Sequence, residues 1–406
     1  MLKNRTNNPK SSNIQLLLQQ KKYAAAITVL KKNLIFSLNK KSDLKKIALC
    51  YYHLKDYKNS LTYLHQSDLS DVDILMAISQ SYYYLGDMIN MQKFGKQVIT
   101  HKMQQYTPTH QDITLPSIPP LSSDPQKNII SFSIFGNNSR YCETAILNVK
   151  EAKEIYPHWL CRFYIDDTVP AAVIQRLEQE GAQIIQVEPT LANKINGLFW
   201  RFLVIDDPSV ERFMIRDADS LISLREAAAV QDWLNSQKHF HVMRDSFAHT
   251  ELIMAGMWGG CNGIIQNIQQ MIIDFLNSHQ HQIKREYDQH FLRLCIWPYI
   301  EKSYCHHDST FEIPNSAQFP AHDLKHQYEQ NRNFHVGWDI NSTISLPSNK
   351  KNGEPFQWQV LDQQNNIICQ YSNRVENEKF NMIVPIPYLN HLNLKIWTVK
   401  ILEIGE

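Results

Sequence analysis

Phe213-Met-Ile-Arg-Asp-Ala-Asp-Ser-Leu-Ile-Ser223 decides how this chain is read. The branched and aromatic run Phe213 to Ile215 predicts a buried strand, and Ser220 to Leu224 lead into Arg225-Glu-Ala-Ala-Ala-Val, which predicts a helix. Asp217 and Asp219 then fall at a strand's carboxyl end, where an open α/β sheet binds its ligands. Side chains at i and i+2 of an extended chain project the same way, so both carboxylates can reach one cation, with Ala218 leaving room for it. Hard oxygen ligands suit Mn²⁺ or Mg²⁺, with diphosphate oxygens completing the shell. A bare Asp-x-Asp also occurs in ordinary surface turns, so the flanks have to carry the distinction.

Working outward, the flanks alternate as an α/β domain should. Ile129 to Phe135 reads as a first buried strand, and the loop after it, Gly136-Asn-Asn-Ser-Arg-Tyr141, belongs at the ligand crevice. Asn137, Arg140 and Tyr141 are therefore candidate contacts to base or phosphates, although a plain strand-to-helix turn also uses Gly and Asn. Helix 144–155, strand 161–165, helix 171–180 and strand 182–187 follow. Arg201 interrupts an otherwise apolar helical stretch, Leu198 to Ile205, and a buried guanidinium needs an anion or a carboxylate such as Asp206 or Asp207. Arg216 raises the same alternatives. After helix 225–235, strand 239–243 delivers Arg244-Asp245. Glycines 256, 259 and 260 in Ala255-Gly-Met-Trp-Gly-Gly260 then allow close backbone approach to a ligand, and Trp258 offers a face for a sugar. Asp288 opens an amphipathic helix, where it is either a capping acid or a general base for an acceptor hydroxyl.

Together with these, Phe199-Trp-Arg-Phe202, Arg216-Asp-Ala-Asp-Ser220, His241-Val-Met-Arg-Asp245, Tyr287-Asp-Gln-His-Phe-Leu292, His307-Asp-Ser309 and His335-Val-Gly337 resemble the successive signatures of a bacterial glycosyltransferase family often joined to tetratricopeptide repeats. The resemblance covers roughly residues 129–339. It implies a GT-A (Rossmann-like) fold in which the DXD acids Asp217 and Asp219 hold a divalent metal against a nucleotide-sugar diphosphate, a UDP-sugar above all. It also implies that Arg201, Arg216, Asp245, Trp258, Gly259 and Gly260 shape the donor pocket and that the acceptor is a glycan or a protein. The motif order is similar to glycogenin-like retaining enzymes too, in which a late histidine completes the metal shell. His335-Val-Gly337-Trp338 approximates that motif with shortened spacing, leaving His335 and His307 as alternatives.

Outside that region the composition changes. Three stretches beginning Leu18, Leu54 and Leu85 recur at about the period of a 34-residue helical pair and look like degenerate tetratricopeptide repeats. Each places a large residue (Tyr23, Tyr57, Met88) three positions before a small one or its substitute (Ala26, Ser60, Met91). Residues 1–100 are thus expected to form an all-α repeat domain that binds a partner or a second copy, or merely caps the fold. Residues 101–127 form a Pro-rich linker, 128–339 the transferase domain, and 340–406 a small β-rich appendage of short alternating strands.

Lys and Arg number 41 against 40 Asp and Glu, which argues against bulk nucleic-acid binding. Seven cysteines form no CxxC pair, so neither a disulfide framework nor zinc binding is expected. The absence of a signal peptide and of an apolar run of about 18 residues fits a cytoplasmic protein with no membrane span. The competing function is an adaptor: helical repeats joined to a degenerate domain that binds nucleotide or glycan without turnover.

Overall fold

The computed structural model describes residues 9–105, 113–279 and 286–402. It divides into two compact units.

The first comprises the described part of Met1–Thr107 with Asp245–Leu252 and Asp308–Ser316. Its helices α1 (Pro9–Gln19), α2 (Tyr23–Leu34), α3 (Lys40–His53), α4 (Tyr57–Leu64), α5 (Val72–Tyr84) and α6 (Met88–Gln105) each pack on the next. Short polar caps set three of the starts: Asn39, Asp56 and Asp71 accept from the N–H groups of Ser42, Asn59 and Asp73. Ala26, Ser60 and Met91 are buried, and Ser60 Oγ donates to Ala48 O at 2.9 Å, so the small positions are where neighbouring helices approach closely. The two later segments are built into this unit. Phe247 stacks on Tyr83 with ring centroids 3.5 Å apart, Lys102 Nζ meets Glu251 at 2.5 Å, and Phe311 occupies the space a side chain at Gly95 would need.

The second unit holds a seven-stranded sheet: β1 (Asn128–Ile134), β2 (Leu160–Ile165), β3 (Gln183–Gln186), β4 (Arg212–Arg216), β5 (Phe240–Arg244), β6 (Met257–Cys261) and β7 (Tyr304–Asp308), in the order β3-β2-β1-β4-β6-β5-β7. β1 runs parallel to β2 and β4, and β2 to β3, whereas β6 is antiparallel to β4 and β5. The parallel pairs are joined through α7 (Ser139–Ile155), α8 (Ala171–Gln179), α9 (Pro189–Ala192) and a 3₁₀ stretch, Gly197–Asp206. α10 (Leu224–Asn235) follows β4; α11 (Ile268–Ser278), α12 (Tyr287–Phe291) and α13 (Trp297–Ile300) precede β7, with a π-helical Leu292–Ile296 between the last two helices. β4 and β5 are buried along their whole length, the continuous pattern of strands covered on both faces.

Three expectations change. Gly259 and Gly260 make no room for a ligand: they lie on β6, a central strand, where the missing side chains serve packing. A Cβ on Gly259 would lie 2.6 Å from Phe213 O, and one on Gly260 2.5 Å from the Phe240 ring. The Pro-rich segment is pinned where it is described, since Arg212 donates to Pro119 O and His239 Nε2 contacts Pro116 O at 2.7 Å; residues 106–112 lie outside the described residues.

The C-terminal region is not a separate appendage. β8 (Asn341–Pro347), β9 (Pro355–Leu361), β10 (Ile367–Arg374), β11 (Lys379–Pro385), α14 (Ile386–Asn393) and β12 (Thr398–Leu402) form two small sheets, β10-β9-β12 and β11-β8, inside the second unit. Phe356, Trp358, Val360 and Tyr371 belong to the same apolar core as Phe132 and Phe163, so Trp358 and Tyr371 serve packing. A buried carboxylate ties the region down. Glu143 on α7 receives both terminal nitrogens of Arg176 at 2.8 Å, Tyr371 Oη at 2.6 Å and Tyr388 Oη at 2.8 Å.

Candidate active site

β4 ends at Arg216, and the next three residues turn at the carboxyl end of the parallel strands. Strand geometry explains the fates of the charged residues here. Consecutive side chains point to opposite faces, so Arg216 and Asp217 cannot serve the same site. Arg216 is buried, and its Nε donates to Glu226 Oε1 on α10 at 2.9 Å while Nη1 donates to Ile215 O and Trp258 O. It is therefore a structural ion pair and not a donor contact. Its partner is neither Asp206, which accepts from the N–H groups of Ile268 and Gln269 at the start of α11, nor Asp207, which accepts from Arg162 at 2.7 Å.

Asp217 and Asp219 are joined by a third acid absent from the sequence reading. The segment 339–341 is fastened to the turn: Ser220 and Asp339 form an antiparallel bridge, Ile340 N donates to Asp219 O at 3.2 Å, and Asn341 Nδ2 donates to the same oxygen at 3.3 Å. This brings the Asp339 carboxylate into the field of the pair. Burial, then repulsion from Asp217 and from Asp339, pushes Asp219 up to about 7, with Arg140 opposing. Arg140 Nη1 donates to Asp339 Oδ2 at 2.8 Å, and Asp339 Oδ1 accepts from Asn341 N and Nδ2.

Arg140 sits in the first turn of α7, whose start is set by Asn138 accepting from Arg140 N. Tyr141 follows it. Burial raises the Tyr141 phenol, and Asp219, Asp339 and Asp217 raise it further, which places this partly exposed ring beside the acids. Asn148, farther along α7, clamps the turn, donating to Ser220 O at 2.8 Å and accepting from Ile222 N at 2.9 Å.

Arg201 and Asp288 stand behind Asp217. Arg201 is buried; its Nη1 donates to Asp217 Oδ1 and its Nη2 to Asp288 Oδ2 at 2.9 Å. Ser133 Oγ receives Arg201 N and Ser131 Oγ donates to Arg201 O, so β1 fixes the backbone as well. Asp288 is itself buried, which raises its carboxyl despite the neighbouring Arg201, and its other oxygen accepts from Gln289 N. With both oxygens engaged, Asp288 positions Arg201, and Arg201 orients Asp217. The general-base role expected for Asp288 does not fit this geometry.

The remaining expectations separate. Trp258 is fully buried, edge-on to Phe213, so it offers no face to a sugar. Gly259 and Gly260 face neighbouring strands, as above, whereas Gly256 does abut the acids: a Cβ there would lie 2.1 Å from Asp217 Oδ2. Asn137 lines a different cleft of about 610 Å³ with Asn373, Arg374 and Asn381. Asp245 belongs to the helical unit, where Ser309 Oγ donates to Asp245 Oδ1 at 2.6 Å. His307 is engaged at both nitrogens, with His241 at 2.9 Å and Asp232 at 3.1 Å, which removes it as the third ligand of the pair. His335 lies in a turn closed by Trp338 N donating to its carbonyl, and the acid four residues on, Asp339, is the one acting on Asp219. The larger cleft, about 750 Å³, lies at the amino end of β4 beside Val210 and Glu211 and holds none of these residues.

The acidic cluster suits a divalent cation. Three carboxylates gathered at one turn repel until positive charge is shared among them, and the missing side chain at Gly256 is what gives the Asp217 carboxylate its room.

No family model matches the sequence, and no curated protein matches it. Among solved structures, the chain is similar to an active-site mutant of LgtC, at 13% identity over 45% of this chain and 73% of that one, with a TM-score of 0.31. It is similar to the mannosyltransferase PcManGT from Pyrobaculum calidifontis in complex with GDP-Man and Mn²⁺, at 12% identity over 53% and 62%, with a TM-score of 0.28. PcrH, in complex with the chaperone binding region of PopD, matches 26% of this chain and 80% of its own at 13% identity, with a TM-score of 0.23. Among the described residues no helix is long and apolar enough to cross a membrane.

Proposed function

We propose that the α/β unit is a metal-dependent glycosyltransferase that moves a sugar from a nucleoside-diphosphate donor, a UDP-sugar first among them, to a glycan or protein acceptor. The observation carrying this reading is the convergence of Asp217, Asp219 and Asp339 at the carboxyl end of the parallel strands, facing the first turn of α7. Asp217, Asp219 and Asp339 would hold Mn²⁺ or Mg²⁺, which supplies neutralisation of the charge that builds on a leaving diphosphate. The chain's own residues do the positioning. Asp288 fixes Arg201, Arg201 aims Asp217, Asn148 and Asn341 hold the turn, and Arg140 and Tyr141 present a cation and a phenol toward bound phosphates. The helical unit, read as tetratricopeptide-like repeats, would recruit the acceptor or a second copy.

A binding-only domain is the second reading, favoured by one observation: the acid expected as base, Asp288, is buried with both oxygens engaged. Thermal melts with UDP, GDP and CMP and their sugar conjugates, with and without Mn²⁺, test the site. A ligand that binds only the folded state raises the melting temperature. The reading requires a metal-dependent rise with one nucleotide family that Asp217→Ala/Asp219→Ala loses; no rise with any of them removes it. Slow metal-dependent donor hydrolysis without acceptor separates an enzyme from a binder, which shows none.

A further inference from the structure

A second group of ligating side chains lies on β5 and β7, neighbouring strands of the sheet, and it plays no part in the acidic site. His241, Cys305 and His307 place one ligand atom each within 4.8 Å of one another. Cys305 and His307 are two apart on β7, so their side chains leave the same face, and His241 stands across from them. His241 Nε2 is 2.9 Å from His307 Nδ1, and Cys305 Sγ is 3.9 Å from that same nitrogen. Both imidazoles are buried, and Trp233 of α10 stacks on His241 with ring centroids 5.5 Å apart.

Asp232, also on α10, gives the group its direction. Its carboxylate lies 3.1 Å from His307 Nε2, and a carboxylate only accepts, so His307 carries its proton on Nε2. That leaves the lone pair of Nδ1 aimed at His241 and Cys305. A carboxylate holding the outer nitrogen of an imidazole whose inner nitrogen faces other ligands is the arrangement that orients histidines on zinc.

We infer that His241, Cys305 and His307 form a second metal site, separate from the acidic cluster, that takes a zinc-class divalent cation with Asp232 orienting His307 from outside. The soft thiolate and two imidazoles select against the magnesium-type ions suited to Asp217 and Asp219. Tetrahedral zinc with bonds of roughly 2.0–2.3 Å separates two nitrogens by about 3.3 Å and nitrogen from sulfur by about 3.6 Å. The two distances to His307 Nδ1 therefore need to change by only a few tenths of an ångström, and Cys305 Sγ, within 4.8 Å of the other ligand atoms, closes the third side by a rotation of its side chain. On binding, the Cys305 thiol releases its proton to solvent, and neutral His241 shifts its single ring proton from Nε2 to Nδ1, which frees the Nε2 lone pair for the metal. Three protein ligands leave the fourth position to water. Of the three ligands Cys305 is partly exposed, which is where the cation enters. The ligands escape a search for CxxC pairs because they come from two separate stretches of chain, and Cys305-x-His307 alone is no zinc motif.

The test uses the full chain, stripped with chelator and titrated with Co²⁺ as a spectroscopic probe for zinc. The expected result is one Co²⁺ per chain giving a thiolate-to-cobalt band in the near ultraviolet and strong four-coordinate visible bands, displaced by Zn²⁺. Asp217→Asn/Asp219→Asn keeps those bands, and Cys305→Ser loses the thiolate band. Two readouts hold if Cys305→Ser fails to fold. In wild type, Zn²⁺ protects Cys305 from alkylation, read by peptide mass spectrometry, and the exposed-edge variant Asp232→Asn weakens Zn²⁺ binding roughly 10- to 100-fold. Cobalt bound without a thiolate band, a band that survives Cys305→Ser, or unprotected Cys305 overturns the proposal.

Discussion

Asp219→Asn should make the metal-free protein more stable while abolishing its response to metal. In the unfolded chain this carboxyl titrates near 3.8, and in the fold its neighbours push it to about 7. The folded state therefore binds more protons than the unfolded one between those values, so the stability contributed by Asp219 falls as pH rises through that window and levels off above about 7. At 1.36 kcal/mol per pH unit the interval amounts to about 4 kcal/mol as an upper bound. Relaxation and water entry reduce it, and we expect about 1–3 kcal/mol at pH 8 from a neutral side chain of the same shape. At pH 5.5 the gap narrows by close to half, because wild type is then already protonated at this site. The assay is denaturant unfolding at both pH values in chelator, repeated with Mn²⁺. Mn²⁺ should stabilise wild type and leave the variant unchanged. An Asp219→Asn protein that is less stable than wild type at pH 8, or equally responsive to Mn²⁺, refutes the reasoning.

The other predictions concern the surroundings. Arg140→Gln removes a cation paired to Asp339 and should tighten Mn²⁺ binding in the absence of nucleotide by roughly three- to tenfold, measured by calorimetry. Glu143→Ala strands the Arg176 guanidinium and two buried phenols and should lower stability by about 3–5 kcal/mol in urea unfolding. A chain ending at residue 339 should fail to give a cooperative melt of the α/β unit, since it removes Phe356, Trp358, Val360 and Tyr371 from the shared core. Burial holds His241, His306 and His307 below the ordinary imidazole range, so the unfolded chain takes up protons first. Stability should fall as pH drops below about 6.5, by up to roughly 1.4 kcal/mol per pH unit for each histidine.

Much of this was legible in the sequence because it is local. The strands around Ile130, Phe163 and Met214 follow from short runs of apolar residues, and the acids at 217 and 219 follow from a strand end that leads into α10. What escaped depends on partners distant in the chain. Nothing beside Asp339 distinguishes it from a turn acid; only its bridge to Ser220 does so. Glycines read as room for a ligand were room for Phe213 and Phe240, because a close-packed sheet and a ligand pocket make the same demand on a backbone. The C-terminal strands alternated convincingly, yet alternation identifies a half-buried face without saying what covers it.

The charged residues behind the acids show how the acidic cluster persists in the fold. A cluster of like charges is unfavourable in a folded chain, and two arginines offset it from opposite sides: Arg140 at Asp339, partly open to solvent, and Arg201 at Asp217, buried. Their different burial gives them different roles. Arg201 is anchored by Asp288 and by β1, so it cannot leave when ligands arrive, and Asp217 keeps one orientation throughout. Arg140 lies at the start of a helix on a long flexible side chain, and on the proposed function it would trade Asp339 for a phosphate once a cation neutralises the acids. Metal and diphosphate would then bind with positive coupling. On the proposed function the same exchange would make a divalent ion alone a weak ligand and a metal–diphosphate pair a strong one, so a nucleotide series without Mn²⁺ should show little binding and Mn²⁺ without nucleotide only modest stabilisation.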